Sequence, residues 1–225
     1  MTCAIAVVEG EDIEAGADSA LCGPEEIYQM QEDKVFVRGP YLIGYCGRAR
    51  IGQILRYRLD FPDPPDDGDL TSFLIRGLAS AIRRAVEAEG AAGRGRDLLG
   101  EKTVLILGCR ARLWCIQPDL SIAETTPFAA IGSGRHKAYG ALHSLTAADV
   151  QPARRRIELA LEAAAQFTPS VRPPFRFVTL KSTCTGQPTS STKTTAASPA
   201  AAATPADGTV ARSRESADMR QPLAR

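Results

Sequence analysis

Apolar positions fall in short runs whose period switches several times along the first 181 residues. Cys3-Ala-Ile-Ala-Val-Val8 is continuously apolar and predicts a buried strand; Glu9-Gly10-Glu11 predicts a turn, and Ile13 to Asp18 a second strand. After a polar loop, Lys34-Val-Phe-Val37 and Tyr41-Leu-Ile-Gly-Tyr45 flank Gly39-Pro40 as another hairpin. Helical spacing follows over Arg48–Leu59, with Ile51, Ile54, Leu55 and Leu59 on one stripe. Beyond the Asp- and Pro-rich loop 60–69, a longer helix is predicted over Leu70–Glu89, with Asp69 as N-cap, Gly90 as stop, and Phe73, Leu74, Leu78, Ala81, Ile82 and Ala85 buried.

The second half repeats the alternation. Strands are predicted at Thr103–Leu107, Leu113–Ile116, Ser121–Ala123 and Phe128–Ile131, helices at 134–145 and 152–167, and a last strand at Phe175–Leu180. Strand pairs, two helices, strands, two helices and a closing strand predict two packed sheets with helices outside. After Lys181 the composition changes to Ser, Thr, Ala and Pro, with Val210, Met219 and Leu223 as the only large aliphatic side chains. Too little apolar surface is available there to offset chain entropy. The chain therefore divides into a folded domain, 1–181, and a disordered tail, 182–225.

Composition narrows the chemistry. The 27 Lys and Arg against 26 Asp and Glu argue against nucleic-acid binding driven by phosphate attraction. No run approaches the roughly 18 uninterrupted apolar residues of a membrane span, and the N-terminus lacks the layout of a signal peptide, so a cytoplasmic protein is expected. With two His, Ser-His-Asp chemistry is poorly supplied and a three-His metal site impossible. The six Cys contain no C-x-x-C pair, which argues against zinc and leaves them as small core residues or inert thiols. No metal or other cofactor is expected.

Thr2 supplies the candidate chemistry. Its small side chain favours removal of Met1, which would leave an α-amino group and a hydroxyl on one residue. A hairpin turning at Gly10 pairs residues whose numbers sum to about 20, give or take one, so Thr2 faces Asp18 across the strands. In the second hairpin Lys34 faces Gly44 or Tyr45, just before Cys46-Gly47. If the two hairpins are neighbours in one sheet, Thr2, Asp18, Lys34 and Gly47 converge at its end.

These residues carry a resemblance. Thr2, Gly-Ala-Asp-Ser19, Asp-Lys-Val35, Pro-Tyr-Leu-Ile-Gly44 and Cys-Gly47 look like the start of a proteasome β-type subunit, and the HslV peptidases are similar in the same places. Phe-Ala-Ala-Ile-Gly-Ser-Gly134, followed by Ala138 and Ala141-Leu142, resembles the second half of that family. The resemblance spans roughly residues 2–180. It implies the αββα sandwich of the N-terminal nucleophile hydrolases and a threonine peptidase assembled as a homo-oligomeric ring around an inner chamber. Peptide or unfolded protein would be the substrate, with an ATPase unfoldase as a possible partner. It further implies that Thr2 is the nucleophile and its own amine the general base. Lys34 would lower the pKa of both groups, Asp18 would hold Lys34, Ser133 would relay the proton, and the Gly47 N–H would face the oxyanion.

The chain departs from that pattern in places. Cys46-Gly47-Arg48 stands for Ala-Gly-Gly, one residue shorter, and Thr168-Pro-Ser170-Val-Arg172 offers Ser170 where family members often carry an acid. The tail has no counterpart in either relative, and with Thr2 directly behind Met1 no propeptide is expected. A small-molecule amidase using the same Thr2, and a non-catalytic assembly subunit, are the alternative readings. Several other features have plainer roles. Cys3 is expected in the core, Gly132-Ser-Gly134 lacks the third glycine of a dinucleotide turn, and His136 and His143 lie on a helix surface without a third ligand. The loop 60–69 reads as a solvated connection rather than a calcium loop, and Arg154-Arg-Arg156 as an exposed face or subunit contact.

Overall fold

A computed structural model describes residues 2–23 and 25–182. The predicted tail, apart from Ser182, lies outside the described residues.

Eleven strands and five α-helices occur among these residues, and nine of the strands form two sheets that stack with the helices in four layers. One sheet has the order β10-β1-β2-β11, from β1 (Cys3–Glu9), β2 (Asp12–Ala17), β10 (Phe128–Gly132) and β11 (Arg176–Leu180). The other has the order β5-β6-β7-β8-β9, from β5 (Val35–Arg38), β6 (Tyr41–Cys46), β7 (Val104–Cys109), β8 (Arg112–Ile116) and β9 (Ile122–Thr125). Every pairing in both is antiparallel. Helices α4 (Arg135–Ala147) and α5 (Ala153–Phe167) cover the first sheet, and α1 (Ala49–Tyr57), α2 (Leu70–Phe73) and α3 (Ala79–Ala88) the second. This is the expected αββα sandwich.

The strands read as unbroken apolar runs because both of their faces are covered. Along β1, Cys3, Ile5 and Val7 pack with Ile157, Leu161 and Leu142 of the helices, whereas Ala4 and Ala6 point between the sheets. The inter-sheet layer is built largely of small residues, Ala4, Ala6, Ala15, Ala17 and Ala129 among them, with Val35, Leu42, Ile106 and Ile131. Outside the second sheet a larger core surrounds Trp114, Tyr41, Tyr45 and the leucines of the long helix.

That helix begins as predicted, with the Asp69 carboxylate accepting from Thr71 N at 3.0 Å. A π-helical turn, Leu74–Leu78, separates α2 from α3. It rotates the buried stripe, so that Leu70, Leu74, Leu78, Ile82 and Val86 are buried while Phe73 and Ala85 are only partly so. The loop after β2 also differs from expectation: Ala20–Cys22 (β3) and Ile27–Gln29 (β4) form a two-stranded hairpin. Its strands are three residues each and β4 is exposed throughout, so no core pattern marks them in the sequence.

Candidate active site

The first hairpin turns through Gly10-Glu11 and pairs Glu9 with Asp12 and Ala4 with Ala17, so paired numbers sum to 21. Asp18 therefore stands opposite Cys3 rather than Thr2, and its N–H donates to the Cys3 carbonyl at 3.2 Å. The Asp18 side chain turns back into the fold. Its Oδ1 accepts from Cys3 N at 2.9 Å and its Oδ2 from Ala20 N at 3.0 Å. Lys34 Nζ donates to both carboxylate oxygens, each at 3.1 Å, and to the Ala20 carbonyl. The three donors of the ammonium thus each have an acceptor.

Lys34 comes from the second hairpin, where Tyr45 N donates to the Lys34 carbonyl at 3.0 Å, as the predicted register requires. The two hairpins do not share a sheet. β1–β2 and β5–β6 belong to opposite sheets, and Lys34 reaches Asp18 across the sandwich. Asp18 and Lys34 are 1% and 3% exposed, so this is a fully buried ion pair. Burial pushes the Lys34 ammonium below its ordinary pKa, and the Asp18 charge opposes the shift.

Thr2 is held from the other side by the end of β10. Cys3 pairs with Gly132, so the segment 132–134 runs alongside residue 2. Thr2 N donates to Ser133 Oγ at 3.3 Å, and the Thr2 carbonyl accepts from Gly134 N, also at 3.3 Å. Ser133 Oγ also lies 3.3 Å from the Thr2 carbonyl oxygen and 3.0 Å from Ser170 Oγ. Gly132 has φ +92°, and a Cβ there would stand 2.1 Å from the Thr2 carbonyl oxygen. Only glycine lets the two backbones approach this closely. The Gly132-Ser-Gly134 signal, which superficially suggests a nucleotide turn, serves this approach.

Gly47 has φ +91°, and a Cβ there would meet Thr103 Cα at 2.6 Å. The turn is fixed by Thr103, whose Oγ1 accepts from Arg48 N at 3.2 Å. Thr2, Gly47 and Ser133 border one cavity of about 880 Å³, walled also by Cys46, Val104, Cys115, Ile131 and Tyr139. The five predicted residues are therefore brought together in two groups. Thr2, Gly47 and Ser133 line the cavity; Asp18 and Lys34 lie behind it and connect to it through the Cys3 amide. The roles of Gly132 and Thr103 were not anticipated. A Gly directly after the predicted strand was the signal available for Gly132; Thr103 gave none.

Cys3 is fully buried beside α5, and burial, with the Asp18 charge adding to it, raises its thiol to about 12. It is a core residue, as expected. His136 and His143 are exposed on α4, and no group of three metal-binding side chains occurs among the described residues. Arg156 departs from the predicted exposed run. It is 7% exposed and pairs with Glu9 at 3.5 Å, because the inward face of α5 passes through it next to Ile157 and Ala160.

No family model and no curated protein matches the sequence. Solved structures do resemble the fold. The structure of Thiobacillus denitrificans BPH in complex with epoxomicin superposes with a TM-score of 0.67 at 18% identity, covering 79% of this chain and 97% of that one. The fold is that of the proteasome-like N-terminal nucleophile hydrolases. HslV from Trypanosoma brucei has a TM-score of 0.56 at 16% identity, over 79% of this chain and 98% of that one. The helical assembly of the Anbu complex from Pseudomonas aeruginosa has a TM-score of 0.56 at 17% identity, over 79% and 80% of the two chains. In this fold Thr2 immediately precedes β1 and borders the cavity that Gly47 and Ser133 also line. Among the described residues no helix is long and apolar enough to cross a membrane.

Proposed function

We propose that the chain is a threonine peptidase of the proteasome β-subunit type, cleaving peptide bonds with Thr2 after Met1 is removed. The observation that carries this reading is the placement of Thr2: its nitrogen is bonded to Ser133 Oγ, and its residue borders a cavity shared with the Gly47 turn. Once Met1 is gone, that nitrogen is an α-amine with an ordinary pKa of about 8, suited to a base near neutral pH.

The Thr2 hydroxyl oxygen attacks the scissile carbonyl carbon while its proton passes to the α-amine, directly or through Ser133. The Gly47 N–H donates a hydrogen bond to the carbonyl oxygen as negative charge develops there. Collapse of the tetrahedral species breaks the C–N bond, and the ammonium returns the proton to the departing amine. This leaves an ester on Thr2. Water, deprotonated by the same amine, then attacks the ester carbon, releases the acid and restores the hydroxyl. Lys34 acts from behind. Its charge, held by Asp18, lowers the cost of alkoxide formation on residue 2 and keeps the amine unprotonated at working pH.

The Anbu structure is a helical assembly, and we infer that this chain also works as a homo-oligomer, its 1–181 domain enclosing the sites and excluding folded proteins. An ATPase unfoldase would then deliver unfolded chains. A reducing cytoplasm suits the five free cysteines among the described residues. The full chain is expected to hydrolyse coumarin-tagged tetrapeptides, and epoxomicin, which BPH holds in its structure, to abolish that turnover at one equivalent per chain. An epoxyketone offers two electrophilic carbons, matching a residue that carries both a hydroxyl and an amine. No turnover, or turnover indifferent to epoxomicin, would overturn the proposal.

A further inference from the structure

The cavity beside Thr2 is walled by apolar side chains, yet four charged residues stand around it: Arg48, Glu101, Lys102 and Arg135. Glu101 and Lys102 are ion-paired with each other at 3.8 Å and are both well exposed, so they offset one another locally. The two arginines are not offset. Arg48 Nη1 donates to the Ala91 carbonyl at 2.7 Å, and Arg135 Nη1 to the Gly132 carbonyl at 3.1 Å. Each guanidinium is tethered by a backbone carbonyl, and neither has a carboxylate partner among the described residues.

The remaining charges around the site do not change this balance. Lys34 is paired with Asp18 behind the cavity, does not line it, and has the same sign as the two arginines. Ser133 and Ser170, the polar side chains beside the Thr2 amine, are uncharged. Arg135 lies in the first turn of α4, whose N-terminal peptide at Gly134 already donates to the Thr2 carbonyl, so the positive end of the helix adds to the arginine. The field reaches the cavity wall: burial raises the Cys46 thiol, and Arg135 is among the charges that oppose the shift.

We infer that the cavity selects an acidic side chain on the residue whose carbonyl is attacked, with Arg48 and Arg135 as the specificity-determining residues. This inference rests on the proposed peptidase reading. An anionic side chain entering the cavity meets two backbone-tethered guanidiniums at its exposed rim, an attraction that water and salt screen in part. A cationic side chain meets the same two charges and is disfavoured.

The test uses the full chain and three tetrapeptide coumarin amides that differ only in the last residue, Glu, Gln or Arg. Glu and Gln share a shape, so their ratio isolates charge. The expected kcat/KM order is Glu over Gln by about 10-fold and Gln over Arg by a similar factor, both ratios shrinking between about 0.05 and 0.5 M salt. In the double variant Arg48→Gln/Arg135→Gln the Glu-to-Gln ratio should fall to about 1–2, whereas Arg155→Gln, remote on α5 and paired with Glu158, should keep it. Cleavage of the Arg peptide as fast as the Glu peptide would overturn the inference, as would a ratio unmoved in the double variant. Silence with all three peptides overturns the peptidase reading and this inference with it. Turnover of the Gln peptide without a charge preference overturns this inference alone.

Discussion

Thr2→Ala is expected to lower peptide hydrolysis by the full chain at least about 10⁴-fold while leaving the fold intact. The size follows from the loss of a covalent route: without the hydroxyl, cleavage falls back on water and whatever stabilisation the cavity gives. The fold should survive because the anchors of residue 2 that pass through its backbone remain, Thr2 N to Ser133 and the Thr2 carbonyl to Gly134. Thr2→Ser keeps the nucleophile and should retain measurable turnover. Initial rates with the Glu peptide, together with a thermal melt of each variant, check this. Rates within 10-fold of the wild type in Thr2→Ala would remove Thr2 from the chemistry.

Lys34→Met is expected to damage both stability and activity, and a second substitution separates the two. Losing the ammonium strands the Asp18 carboxylate in a site that is 1% exposed. Breaking one side of a buried pair costs about 3–5 kcal/mol. Catalysis should fall by about 10²–10³-fold, the range seen when one group that stabilises developing charge is removed. Adding Asp18→Asn removes the stranded charge, so Lys34→Met/Asp18→Asn should recover most of the stability. The rate should not recover, because the positive charge behind residue 2 is still missing. Urea denaturation and peptide kinetics on the two variants check the split. A double variant with restored turnover would make the pair purely structural.

How much of this was legible in the sequence depended on the distance over which each feature is decided. The two hairpins were readable because their registers are set by Gly10 and Gly39 within a few residues. One residue of uncertainty in the first hairpin still moved Asp18 from opposite Thr2 to opposite Cys3. The assignment of the hairpins to opposite sheets was not readable. β1 takes β10 as its second neighbour, more than a hundred residues away, and nothing local to either strand specifies that choice. Convergence of Asp18 and Lys34 was anticipated for the wrong reason: small side chains such as Ala4 and Ala17 bring two facing sheets close enough for Lys34 to cross. The π-helical turn at Leu74–Leu78 shifted the buried stripe from Ala85 to Val86, a change that ordinary helical spacing cannot express.

What residue type and position did anticipate is placement: Thr2, Gly47 and Ser133 border one cavity, and Asp18 pairs with Lys34. Features defined by close approach escaped. Gly132 matters because a Cβ would strike the Thr2 carbonyl, and Thr103 because it fills the space behind Gly47; both are facts of three-dimensional proximity. The arginines around the cavity were likewise plain charges in the sequence, and their lack of carboxylate partners among the described residues emerged only with the fold.

Intact and peptide mass analysis of the epoxomicin-treated full chain tests the central claim most directly. The account predicts a chain lacking Met1 and carrying one inhibitor, with the added mass on the N-terminal peptide at Thr2. A chain that retains Met1, or an adduct on any other residue, would contradict it.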